Sequence, residues 1–176
     1  MRKNLLRWAC AASLLLPLAA SAAEEATFNF TFQGLDHAAS GQLVAEALGE
    51  GRFLATSGDL SVTFGAATGS YSLVPGSPSL VLSPTGTYLF DGIVEPGSDT
   101  AFTNGGLVFA GNGFEINIYS VAPGAFKFDY FTNGVNTIDP TTGTVVLSAV
   151  PEPSALLLGA LGLAAVVVAR KRQQPR

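Results

Sequence analysis

Thr27-Phe28-Asn29-Phe30-Thr31-Phe32-Gln33 alternates strictly, so an extended chain places three phenylalanines on one side and Thr, Asn, Thr and Gln on the other. Phe114 to Ile118 and Phe126 to Tyr130 repeat the pattern. These are half-buried strands with one wet face. Further strands are expected at Gln42 to Ala47, Arg52 to Thr56, Leu60 to Phe64, Ser70 to Val74, Thr87 to Val94, Gly106 to Ala110 and Thr144 to Ala149. Asn104-Gly105, Asn112-Gly113 and Asn133-Gly134 predict hairpins, because type I′ turns need positive φ at both central residues. Val74 to Pro84, rich in Pro and Ser, reads as a loop or crossover, and Leu43 to Leu48 has room for one helical turn. Many short strands with Gly-rich turns predict an all-β body, an antiparallel β-sandwich or jelly-roll-like domain.

The pattern changes at both ends. Arg2, Lys3 and Arg7 precede the mostly apolar run Ala9 to Ala20 and the small residues Ser21-Ala22-Ala23, the layout of a secretory signal cleaved after Ala22 or Ala23. Residues 1–23 are therefore expected to leave, Cys10 with them. At the other end, Ala155 to Ala169 carries no charged or polar side chain and is followed by Arg170-Lys171-Arg172. A transmembrane helix over 154–169 would reach roughly 24 Å at 1.5 Å per residue. That is short of the ~30 Å hydrocarbon core, and snorkelling Arg and Lys with local thinning make up the difference. The basic tail 170–176 stays inside as the membrane stop, which puts everything before Pro151 outside.

Val150-Pro151-Glu152-Pro153-Ser154, the Leu/Gly/Ala/Val run and Arg170-Lys171-Arg172 together resemble the PEP-CTERM sorting signal of Gram-negative bacteria that make exopolysaccharide, also described as an ice-binding protein C-terminal motif. The resemblance covers residues 150–176 and leaves the β body unassigned. It implies that a membrane-embedded cysteine transpeptidase, the exosortase, reads Pro151, Glu152 and Pro153, cuts nearby, and sends the outer part to the cell surface or medium. The partners implied are the exosortase and the inner membrane.

Between the two targeting segments lies a body of 126 residues, 24–149, the size of one domain. Seven of the nine basic residues sit in the termini, so Arg52 and Lys127 face twelve carboxylates and the body is near −10. That charge argues against nucleic acid and anionic lipid as ligands of the body. With no cysteine after residue 23, neither disulfides nor cysteine zinc sites hold it.

Candidate chemistry is sparse. His37, in Gly34-Leu35-Asp36-His37-Ala38, is the sole histidine and reads as a solvated turn residue, since no Gly-x-Ser-x-Gly element accompanies it. Asp91, Glu95 and Asp99, with Asn104, crowd a Gly/Pro-rich connection and form a weak calcium candidate without EF-hand spacing. Glu46 and Glu50 read as solvating charges, and Lys127 as lying on a wet face. After residue 23 no tryptophan remains, so a sugar-stacking surface would need Tyr71, Tyr88, Tyr119 or Tyr130 to be exposed. The sequence thus predicts a non-catalytic exported surface or matrix protein, with no cofactor beyond that calcium candidate. A carbohydrate-binding or adhesive module for exopolysaccharide, and a glycoside hydrolase built on a carboxylate pair, are the alternatives.

Overall fold

The computed structural model of the chain describes residues 24–132, 134–136 and 141–151. The expected signal segment 1–23, the expected helix 154–169, and Glu152, Pro153 and the basic tail lie outside them. The strands are β1 Glu25–Gly34, β2 Ala38–Gly49, β3 Arg52–Phe64, β4 Gly69–Leu73, β5 Val81–Leu82, β6 Leu89–Phe90, β7 Ile93–Val94, β8 Leu107–Gly111, β9 Phe114–Ala122, β10 Ala125–Thr132, β11 Val135–Asn136 and β12 Thr141–Ala149.

The all-β prediction holds, but the sandwich or jelly roll gives way to a barrel. β1 to β4 pair in succession, β4 continues to β8, β9 and β10, and β12 pairs both β10 and β1, every pairing antiparallel. A sandwich or jelly roll needs the chain to cross between two sheets. Here the one long excursion, Val74 to Gly106, returns to the position beside the strand it left, so the ladder runs on until its last strand meets its first. Among the described residues, closure leaves no long sheet edge except where β10 falls short of β12.

Alternation fills the interior. Phe28, Phe30 and Phe32 of β1 are buried beside Leu43, Leu60, Val62, Phe109, Ile116, Ile118, Phe126 and Phe128. Phe30 packs edge-on against Phe102 and stacked on Phe109, with centroids 5.9 and 5.8 Å apart. Such bulk needs small partners. A Cβ at Gly41 would lie 2.7 Å from Phe30 Cε1 and overlap the Asp59 carbonyl, and one at Gly143 would lie 2.6 Å from Phe32 Cζ. Large and small side chains alternate around a narrow barrel of this strand number, filling it with protein.

Several element boundaries differ from expectation. Arg52 to Thr56 and Leu60 to Phe64 belong to one long β3, in which Gly58 pairs with Leu43 and the register shifts at Thr56, opposite Val44 and Ala45. Leu43 to Leu48 is strand, paired on both sides as far as Glu46, with no helical turn. Thr87 to Val94 divides into β6 and β7 at Asp91-Gly92, where Gly92 has φ 74°. Asn112-Gly113 makes the expected hairpin, with φ 52° and 79° between β8 and β9. Gly134 turns at φ 79° between the paired Thr132 and Val135. Asn104-Gly105 makes no hairpin and lies in the connection that leads to β8.

The β5–β6 hairpin lies against the outside of the barrel. Its Val81, Tyr88 and Phe90 pack with Val74, Val108 and Phe131, while Leu82 and Leu89 face outward.

Candidate functional site

The register of β1 and β12 brings the two ends of the described chain together. Phe28 lies opposite Ala149, and Val150 donates its N–H to the Thr27 carbonyl at 2.8 Å. Pro151 follows at once and is exposed. Proline has no N–H to extend a ladder, so the strand stops there and the sorting residues begin where the barrel ends. The start of β1, which follows the expected signal segment in sequence, is at the same pole.

That pole is acidic. Glu25 is opposite Glu46, the Glu24 main-chain carbonyl accepts from the Ala47 N–H, and Glu50 sits in the β2–β3 turn two residues before Arg52. Glu95 follows β7, which pairs the start of β3, and the Asp99 carbonyl accepts from the Gly124 N–H beside β10. Arg52 Nε reaches Glu95 Oε1 at 3.3 Å and is the lone cation among these groups.

Beside β12 the wall is incomplete. β10 pairs with it only through Phe126↔Gly143, Lys127↔Thr142 and Phe128↔Thr141, because β10 starts only after the turn from β9 at Pro123-Gly124. With Val150 bonded to β1, antiparallel alternation turns Ser148, Val146 and Thr144 toward β1 and the peptide groups of Val145, Leu147 and Ala149 the other way. No described strand pairs with them. A groove of about 400 Å³ lies there, lined by Ser98, Asp99, Gly124, Phe126, Val145 and Val146.

The calcium candidates have other partners. Asp91 is buried, and its Oδ1 accepts from the Thr103 hydroxyl at 2.6 Å and the Ile93 N–H at 3.1 Å. Glu95 accepts from the Thr100 hydroxyl at 3.0 Å as well as from Arg52. Asp99 and Asn104 point to solvent. Among the described residues no three His, Cys, Asp or Glu side chains gather closely enough to hold a metal ion.

His37 is buried, not solvated. Its Nδ1 lies 2.9 Å from the Thr141 hydroxyl, its ring stacks on Phe128, and Nε2 is buried without a hydrogen-bond partner. Burial lowers its pKa below the ordinary value, against the smaller opposing pull of Asp36. The four tyrosines offer no exposed platform for a sugar: Tyr71 is buried and donates to the Ala67 carbonyl, Tyr88 is buried, and Tyr119 and Tyr130 are half-buried. Burial first, then the Asp129 and Glu115 carboxylates, pushes the Tyr88 phenol far above its usual range. Lys127 lies half-buried on the outer face.

Glu115 was not singled out by its sequence context. It points outward from β9, yet it is 2 % exposed, because the turn joining β5 to β6 covers it. Ser83 Oγ donates to it at 2.7 Å, and the Thr85 hydroxyl and N–H also bond to the carboxylate. The alternation of β9 marks that face as wet, and only the returning segment hides it.

Comparison with known proteins bears on the tail alone. A family model for the PEP-CTERM protein-sorting motif matches residues 149–173. No curated protein and no solved structure matches the chain.

Proposed function

We propose that this chain is a non-catalytic surface or extracellular-matrix protein whose β barrel is exported, held at the membrane by its tail, and passed on when the exosortase cuts at the Pro151-Glu152-Pro153 element. The sorting motif at residues 149–173 supports export and exosortase sorting. One observation carries the rest: the last barrel hydrogen bond, Val150 N–H to Thr27, immediately precedes the sorting residues. Cleavage within or after Pro-Glu-Pro therefore removes nothing that the barrel needs, and the cargo leaves folded. The interior packing and the engagement of Asp91 and Glu115 by hydroxyl and amide donors favour a structural role over a carboxylate-pair hydrolase.

The test is fractionation of the native host carrying the wild-type chain or Pro151-Glu152-Pro153→Ala-Ala-Ala. Wild type should lose its tail and leave the inner membrane, and the triple variant should stay there at full length. Release of both forms alike would refute the sorting route.

A further inference from the structure

We propose that the open edge of β12, from Val145 to Ala149, docks an extended, positively charged strand of the transpeptidase that cuts this chain. The proposal rests on the exosortase reading above and adds a second contact to it.

Three observations converge on this edge. First, Val145, Leu147 and Ala149 turn their peptide groups away from β1 to a side on which no described strand pairs with them. An extended segment can add there by main-chain hydrogen bonds, the usual way a peptide joins a sheet edge. The groove of about 400 Å³ between this edge and the 97–101 loop leaves space for it. Second, the edge is continuous with the sorting signal: the matched motif begins at residue 149, the last residue of β12. Only Val150 to Pro153 separate the strand from the start of the expected helix at Ser154, roughly 13 Å of fully extended chain. An enzyme that grips those residues at the membrane must lie against the tail pole. Third, that pole carries Glu24, Glu25, Glu46, Glu50, Glu95 and Asp99 against Arg52. The field attracts a basic strand and repels a second copy of this acidic body.

Val146 and Asp99 allow a test that leaves the core alone, since both line the groove and both side chains are exposed. Full-length wild type, Val146→Lys, Asp99→Lys and Val146→Glu are expressed in the native host, and tail removal is followed over time by intact mass. The two Lys variants should be processed about fivefold more slowly, the scale of one exposed charge pair. Val146→Glu should match or exceed the wild-type rate, and all four forms should melt alike. Lys variants cut at the wild-type rate would overturn the proposal, as would equal slowing of all three, because a steric or folding defect has no charge sign. A dimer of the released protein that Val146→Lys dissociates would seat a second copy on the edge and overturn it too. Pro151-Glu152-Pro153→Ala-Ala-Ala is the separate control: if that variant is cut like wild type, the exosortase reading itself fails.

Discussion

His37 stacks on Phe128 with ring centroids 4.8 Å apart and 19° between the planes, and in this way it plugs the barrel at the pole opposite the tail. Gly65 packs over the same ring, where a Cβ would come within 2.7 Å of Nε2. A second proton on the ring would leave an imidazolium N–H in a site that holds no partner for it. Because the folded-state pKa is lowered, the unfolded chain takes up the proton first as pH falls. Stability is therefore full above about pH 6.5 and is lost as pH drops through and below that value. His37→Phe should lose less stability than wild type between pH 7 and pH 5 in thermal melts. Parallel curves for the two proteins would contradict the burial argument.

Glu115 holds the β5–β6 turn to the barrel wall through Ser83 and Thr85. Glu115→Ala leaves those donors without their acceptor and should cost about 1–3 kcal/mol. For a body of this size that corresponds to roughly 3–12 °C in melting temperature. Limited proteolysis should then cut between Pro78 and Leu89. Glu115→Gln keeps the acceptor oxygen and should lose less on both measures.

Gly41→Ala tests the filling of the interior. Its methyl group would meet the Phe30 ring and the Asp59 carbonyl, and a backbone group has little freedom to move aside. Overpacking of this kind costs about 1–3 kcal/mol or more. Chemical denaturation should show a lower midpoint with an unchanged slope.

Calcium removal gives the opposite expectation. The Asp91 carboxylate is occupied by Thr103 and the Ile93 N–H, and Glu95 by Thr100 and Arg52, so these groups need no ion to be satisfied. The melting temperature in chelator should equal that in calcium. A drop on chelation would restore Asp91, Glu95 and Asp99 as ligands.

The β character of the body was legible because period-two alternation is a local property, and Phe28, Phe30 and Phe32 all lie inside as it requires. Closure was not legible, since it depends on β12 meeting β1 across more than a hundred residues. Glycines misled for a related reason. Gly58 reads as a break between two strands, yet it sits inside β3, where a Cβ would strike the Gln42 carbonyl of the neighbouring strand. His37 looked solvated because its partner, Thr141, is 104 residues away. The sorting residues were plain in the sequence, being a contiguous motif. The open edge beside them was hidden, because it arises from the length of β10 relative to β12.

Under the sorting route proposed above, the exosortase would release a whole, folded barrel. The most direct measurement is the intact mass and thermal melt of the protein recovered outside the inner membrane of its native host. That protein should begin at residue 23 or 24, end close to Pro153 and melt in one cooperative step. A recovered chain that retains the apolar run and Arg170-Lys171-Arg172, or one that has lost β12 and melts without cooperativity, would contradict that route.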